Sequence, residues 1–135
     1  MYEAFLFSVW YCFLCTLFAP SYSMNAQGEI ISASVKGEID RISVFYVNQV
    51  FQEAEQQKAS AVLLSLDTPG GDAAAAMQIR DILLESPRPV IVYISSRAWS
   101  AGALIALSGT EIYMAPGSSI APLNRSLLQK KIFQL

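Results

Sequence analysis

Two short apolar runs constrain the fold of this chain more than any other feature. Residues 61–66 and 90–94 are nearly continuous in apolar side chains, as in strands that lie buried in a parallel sheet. A helical pattern over residues 72–85 separates them and ends at the Ser-Pro-Arg-Pro sequence of residues 86–89. A strand, a helix and a second strand in this order predict two parallel strands joined by a right-handed crossover.

The flanking segments extend this alternation. Residues 29–35 alternate in polarity and predict a strand, and Asp40 is a candidate N-cap for a helix over residues 41–58. Residues 100–108 predict a short apolar helix, and residues 112–114 a further short strand. The apolar residues of the 41–58 helix share one face, at positions 42, 46, 47, 50, 51 and 54. The sequence therefore predicts one α/β domain with a parallel sheet built from βαβ crossovers.

The N-terminal segment, residues 1–23, differs from the rest. Its apolar run at 4–19 is shorter than the ~20 residues that a straight helix needs to cross a bilayer. Pro20 and the small residues before Met24 fit a signal-peptide cleavage site, although no Lys or Arg precedes the run. The segment is interpreted as a cleaved signal peptide or an uncleaved membrane anchor, and a buried helix of the domain is the third alternative. Either of the first two places residues 24–135 outside the cytoplasm.

Charge and cysteine content argue against several other classes of protein. The net charge is −2 and no basic patch occurs, so nothing predicts nucleic-acid binding. Cys12 and Cys15 are the only cysteines, and both lie inside the apolar run at 4–19. Two such ligands do not complete a zinc site. Neither a metal nor another cofactor is predicted.

Glycine-rich or small-residue turns follow both apolar strands. Asp-Thr-Pro-Gly-Gly occupies residues 67–71, and Ser-Ala-Gly occupies residues 100–102. Because the carboxyl ends of parallel strands meet at one edge of a sheet, the two turns are expected to face each other there. Each turn alone is typical of a tight turn or an ordinary helix cap. Asp67 is interpreted as a strand-end or turn residue, and Arg97 and Trp99 as parts of a surface loop.

Together the two turns suggest an acyl-transfer site. Ser100 would be the nucleophile, and the backbone N–H groups of Gly71 and Ala101 would form an oxyanion hole. Gly70, which has no side chain, would let a substrate backbone approach. The chain has no histidine, so the general base must be another residue, for which lysine is the favoured type.

These segments resemble the N-terminal protease domain of NfeD proteins, which are membrane-bound serine peptidases of the Clp-protease class. The resemblance runs from about residue 29 to about residue 121. The shared sequences are Lys-Gly-Glu-Ile-Asp at 36–40, Leu-Asp-Thr-Pro-Gly-Gly at 66–71, Pro-Val-Ile-Val-Tyr at 89–93, Ser-Ala-Gly at 100–102 and Met-Ala-Pro-Gly at 114–117.

The resemblance implies a Clp/crotonase-like fold and a serine–lysine dyad. Ser100 matches the nucleophile of the family, and Gly71 with Ala101 matches its oxyanion hole. The resemblance further implies a homo-oligomer whose protease domain lies outside the cytoplasm. It also implies a role in cleaving apolar segments of stomatin-like membrane partners.

The lysine of the family lies well downstream of its serine, beyond the Ala-Pro-Gly turn. Lys130 and Lys131 are the only lysines after Ser100 in this sequence, so they are the candidate bases, with surface charges as the alternative. The later helices, membrane spans and C-terminal barrel of the family are not found in this sequence. Residues 24–135 are therefore expected to form a truncated protease domain and to be a poor peptidase.

Two other functions remain open at this stage. One alternative is a non-catalytic binding or assembly domain that retains the groove without the base. Crotonase-like acyl-CoA enzymes also use a pair of backbone donors. The export-like N-terminus and Ser100 at the position of the nucleophile argue against an acyl-CoA enzyme.

Overall fold

The computed structural model describes residues 28–121. The segment interpreted as a signal peptide or anchor and the two candidate lysines lie outside these residues. The strands are β1 (Ile30–Lys36), β2 (Ala61–Thr68), β3 (Val90–Trp99), β4 (Glu111–Met114) and β5 (Ser119–Ala121). The helices are α1 (Arg41–Gln56), α2 (Ala73–Glu85) and α3 (Ala101–Ser108).

The strands form one parallel sheet in the order β1-β2-β3-β4, with β5 paired to the far half of β3. β3 is long enough to pair with β4 along Ile91–Ile94 and with β5 along Arg97–Trp99. The predicted α/β fold with parallel βαβ crossovers is thus confirmed. Its consequence for the site is that the turns after β2 and β3 leave the sheet at the same edge.

The core lies on one face of the sheet. Alternate side chains of β2 and β3 are buried there, including Leu64, Leu66, Val92 and Ile94, which have no exposed surface. Buried residues of all three helices join the same cluster, so the helices cover this face. A sequential strand order with right-handed crossovers produces this one-sided arrangement. The opposite face carries Tyr93 beside Tyr113, exposed by 38% and 55%.

The apolar stripe of α1 is only partly buried. Val47, Val50 and Ala54 face the core, whereas Ile42 and Tyr46, which share the predicted apolar face, are exposed. α1 packs against β1, which is the edge strand of the sheet, so less of the protein surrounds it there. The Tyr46 hydroxyl accepts a hydrogen bond from the Ser34 N–H at 3.3 Å, so it covers part of that edge.

The structure differs from the sequence-based expectation at several element ends and in one additional strand. α1 ends at Gln56 instead of residue 58, because Lys58 adopts a left-handed φ of 52°. Arg97 and Trp99 were expected in a surface loop, and this was wrong, since β3 continues through Trp99 between β2 and β5. The short strand β5 was not predicted.

Asp40 caps α1 as the sequence predicts. Its carboxylate accepts hydrogen bonds from the backbone N–H of Ser43 at 2.8 Å and from the Ser43 hydroxyl at 2.9 Å. These two bonds hold the pKa of Asp40 below its ordinary value of 3.8. A carboxyl group whose pKa is lower in the folded state stabilises the fold above its unfolded pKa, and this contribution disappears as the pH falls through the folded pKa.

The charge on Asp40 therefore gives a pH-dependent prediction. Asp40→Asn keeps an oxygen acceptor for the cap but cannot ionise. The stability difference between wild type and this variant should be largest from about pH 5 upward and should shrink as the pH falls below 3.8, toward the lower pKa of Asp40 in the folded state. Urea unfolding at a series of pH values measures the difference. A difference that does not change between pH 7 and pH 2 would contradict the prediction.

Candidate functional site

Ser100 occupies a strained turn between β3 and α3. Its φ of 51° and ψ of −113° are uncommon for a residue with a side chain. Its N–H donates to the Ala121 carbonyl at 2.7 Å, and its own carbonyl accepts from Ala103 and Leu104 in the first turn of α3. The hydroxyl makes no capping hydrogen bond and the residue is half-buried. Ser100 is therefore held by its backbone while its hydroxyl stays available, a pattern that occurs at functional sites.

Gly70 lies directly against Ser100. A Cβ placed on Gly70 would lie 3.0 Å from the Ser100 Cβ and 3.5 Å from the Ala101 nitrogen. Thr68, which is fully buried, fixes this contact: its Oγ1 accepts from the Gly70 N–H at 3.0 Å and donates to the Gly70 carbonyl at 3.2 Å. The expectation that the glycine turn and the serine turn face each other is confirmed by this contact.

Gly71 is held from its other side by Ile39. The Ile39 N–H donates to the Gly70 carbonyl at 2.9 Å, and the Asp72 N–H donates to the Ile39 carbonyl at 2.8 Å. A Cβ on Gly71 would lie 2.5 Å from the Ile39 nitrogen and even closer to the Ile39 oxygen. Gly71 also has a φ of 149°, so both its conformation and its surroundings require glycine.

Two backbone donors beside Ser100 remain uncommitted. Within residues 28–121, the N–H groups of Gly71 and Ala101 donate no hydrogen bond. Gly71 precedes α2, and Ala101 is the first residue of α3, where an intrahelical partner is not available. Helix N-termini favour negative charge, so this arrangement suits an anionic oxygen.

The structure brings together four of the six predicted site residues: Ser100, Gly70, Gly71 and Ala101. Lys130 and Lys131 lie outside the described residues. In the described range the lysines are Lys36, which ends β1, and Lys58, which precedes β2 at the opposite edge of the sheet. The same range contains no cluster of three or more cysteine or acidic side chains that could hold a metal ion.

Sequence reasoning missed several residues that shape this edge. Thr68 and Ile39 position the glycine turn, but a threonine near a strand end and one isoleucine in a polar turn give weak sequence signals. Arg97, expected in a loop, pairs its Nε with Asp67 Oδ1 at 3.4 Å and lies over the Trp99 ring at 5.6 Å from the ring centre. Trp99 donates from Nε1 to the Ser119 hydroxyl at 2.9 Å.

A cavity of about 190 Å³ lies elsewhere, between α1 and the loop after α2. Its lining includes Phe51, Val62, Ile82 and Arg88, and none of the four gathered site residues contributes to it. It lies near the start of β2, at the edge of the sheet opposite Ser100. We therefore place the candidate chemistry at the Ser100 turn and not in this cavity.

Comparison with known proteins establishes the family. A family model described as NfeD1b, N-terminal domain, matches residues 29–124. The chain belongs to the NfeD1b N-terminal domain family. It is 32% identical to membrane protein NfeD1b of Bacillus subtilis strain 168, over 80% of this chain and 25% of that protein. It is 40% identical to membrane-bound protease PH1510 of Pyrococcus horikoshii, over 70% of this chain and 22% of that protein. The chain thus spans about a quarter of the length of these NfeD1b relatives.

Solved structures agree with this membership. The 1510-N membrane protease specific for a stomatin homolog, from Pyrococcus horikoshii, superposes with a TM-score of 0.67 at 36% identity. That match covers 81% of this chain and 56% of the other. A ClpP1 mutant from Listeria monocytogenes gives a TM-score of 0.64 at 17% identity over 77% of this chain and 63% of its own, which shows the shared fold alone. The predicted resemblance to NfeD proteins and to the Clp fold is confirmed.

The NfeD1b relatives are membrane proteins by name. Among residues 28–121, no helix combines the length and apolarity needed to cross a bilayer. The longest of these helices, α1, has 16 residues.

Proposed function

We propose that this domain is a membrane-associated serine endopeptidase of the Ser–Lys type, with Ser100 as the nucleophile. The observation that carries the proposal is the contact of Gly70 with Ser100 at a strained strand-to-helix turn. The N–H groups of Gly71 and Ala101 at these turns donate no hydrogen bond to any residue in 28–121. The 40% identity to a membrane-bound protease over 70% of this chain supports the proposal. The absence of histidine from the sequence favours lysine as the base.

The proposed chemistry is acyl transfer through a covalent intermediate. The Ser100 Oγ attacks the scissile carbonyl while a neutral lysine amine removes its proton. The N–H groups of Gly71 and Ala101 stabilise the oxyanion that forms. The lysine then gives its proton to the departing amine as the carbon–nitrogen bond breaks. Water, deprotonated by the same lysine, hydrolyses the acyl-serine and restores Ser100.

Lys130 and Lys131 are the lysines that we propose as candidate bases. A lysine must lose its charge to act as a base, and burial among apolar groups would lower its pKa for that purpose. Both residues lie outside the described part of the chain, so variants must distinguish them. If one of these lysines is the base, its replacement by alanine should remove most of the reactivity of Ser100. Replacement of the other lysine by alanine should not.

The proposed substrate is an apolar segment of a membrane-protein partner of the stomatin type. The solved relative is a protease specific for a stomatin homolog, which supports this choice. An extended peptide could lie along the glycine turn, where Gly70 and Gly71 leave the backbone accessible. We further propose that residues 1–23 export or anchor the chain, that residues 24–135 act outside the cytoplasm, and that the protein forms a homo-oligomer.

Labelling with a fluorophosphonate tests the nucleophile directly, since this reagent modifies activated serines. The folded protein should be labelled once, and mass spectrometry should locate the adduct at Ser100. The heat-denatured protein should not be labelled, because an isolated serine hydroxyl is a weak nucleophile.

Each result decides between the functions considered. Labelling at Ser100 supports the peptidase. Absence of labelling in the folded protein would overturn it and favour a binding or assembly domain. Labelling of another serine would show that the activated hydroxyl lies elsewhere.

A further inference from the structure

A chain of side-chain contacts crosses three strands at the carboxyl edge of the sheet. It consists of Asp67 on β2, Arg97 and Trp99 on β3, and Ser119 on β5, and we call it the edge chain. Its contacts are the Asp67–Arg97 ion pair, the Arg97–Trp99 stacking and the hydrogen bond from Trp99 Nε1 to Ser119 Oγ. It passes through Trp99, one residue before Ser100.

The edge chain lies next to the strained backbone of Ser100. Ser100 has a left-handed φ of 51°, which persists only if its surroundings hold it. One support is the hydrogen bond from the Ser100 N–H to the Ala121 carbonyl, the last residue of β5. Within residues 28–121, β5 has three residues and pairs only with β3, and so short a ladder benefits from side-chain contacts that keep it in register.

Trp99 supplies such a contact. Ser119 pairs with Arg97 across the β3–β5 ladder, and Trp99 reaches it diagonally from two residues further along β3. Trp99 is 40% exposed and does not belong to the hydrophobic core cluster. Its hydrogen bond thus links the residue before Ser100 to the strand that accepts the Ser100 amide.

We infer that Trp99, through its hydrogen bond to Ser119, is a positioning residue for Ser100. This inference rests on the proposed function. The edge chain fixes β5 against β3, β5 fixes the Ser100 amide, and the hydroxyl of Ser100 is thereby directed toward the substrate carbonyl. Such a residue raises the rate of acylation and contributes little to substrate affinity.

The test compares Trp99→Phe, which retains an aromatic ring but loses the N–H donor, with Ser119→Ala, which loses the acceptor. In the full chain, each variant should react with the fluorophosphonate about tenfold more slowly, as expected for one lost hydrogen bond. Peptide cleavage should show a lower kcat and an unchanged KM. The double variant should react no more slowly than either single variant, since both remove the same bond.

Two further variants separate positioning from general stability. Ser119→Thr keeps the hydroxyl and should restore the labelling rate. Tyr113→Phe removes another hydrogen bond of an exposed ring, from the Tyr113 hydroxyl to Glu111 Oε2 at 2.7 Å, and should leave labelling unchanged. Hydrogen exchange at the Ser100 amide should be faster in Trp99→Phe and Ser119→Ala than in wild type.

The outcomes distinguish this inference from the proposed function. If wild type is labelled at Ser100 and both Trp99→Phe and Ser119→Ala are labelled equally fast, the positioning role is overturned and the peptidase stands. If wild type itself is not labelled, the peptidase and the positioning role are overturned together. If the variants that are labelled more slowly also unfold at a clearly lower temperature, the Trp99–Ser119 hydrogen bond serves folding in general. That result would also overturn the inference.

Discussion

If Lys130 or Lys131 supplies the base, replacement of Ser100 by alanine should abolish peptide cleavage, lowering kcat by at least about 10³-fold, as expected when the nucleophile of an acyl-transfer site is removed. Stability should change little, because the Ser100 hydroxyl makes no capping hydrogen bond and the strained backbone is retained in the variant. The measurements are initial rates on an apolar peptide and the midpoint of thermal unfolding for both proteins.

Ser95→Ala is a matched control for the loss of Ser100. Ser95 lies on the same strand, β3, and its hydroxyl donates to the Leu66 carbonyl at 3.1 Å. Its replacement should leave cleavage nearly intact while altering stability slightly. If cleavage survives Ser100→Ala but is lost in Ser95→Ala, the nucleophile is Ser95 and not Ser100, and our proposal is refuted.

Replacement of Gly71 by alanine should destabilise the domain strongly and disable the site. The new Cβ would meet the backbone nitrogen of Ile39 at 2.5 Å, and backbone atoms cannot move aside as a flexible side chain can. Gly71 also has a φ of 149°, which adds conformational strain. We expect a loss on the order of 3 kcal/mol in the free energy of unfolding. Cleavage should fall as well, since the shift displaces one of the two proposed oxyanion donors.

Gly37→Ala is a control that separates the cost of a side chain at positive φ from the cost of the steric collision with Ile39. Gly37 has a φ of 81°, and a Cβ there would have no atom within 4 Å. This variant should lose only about 1 kcal/mol, the typical penalty for a left-handed residue with a side chain. Equal losses in Gly37→Ala and Gly71→Ala, measured by urea unfolding, would rule out the collision with Ile39 as the cause.

The parts of the fold that follow from hydrophobic pattern were predictable. The apolar runs of β2 and β3 give a direct signal because both strands lie against the helix-covered core. Asp40 was also predictable as a cap, since an acidic residue before an amphipathic helix satisfies backbone N–H groups that would otherwise lack partners.

The remaining features depend on contacts that a local pattern does not contain. β5 is three residues long, and its polar Ser119 is stabilised by pairing with β3 and by Trp99, which are distant in sequence. The extension of β3 through Trp99 has the same origin, because β5 pairs with that part of it. Sequence reasoning could place Gly71 and Ser100 at one edge of the sheet. It could not foresee that Ile39 would make an alanine at position 71 impossible without rearrangement.

The sequential order of the strands has a consequence for the newly made protein. β1 to β4 each pair with the strand that neighbours them in the chain, so the sheet can grow in the order in which the ribosome releases it. The carbonyl that accepts the Ser100 amide belongs to Ala121, near the end of the matched domain. The geometry at Ser100 is thus completed only after residue 121 has left the ribosomal tunnel. Until then, the Ser100 amide lacks the carbonyl that holds it, so the strained turn forms late in the synthesis of this domain.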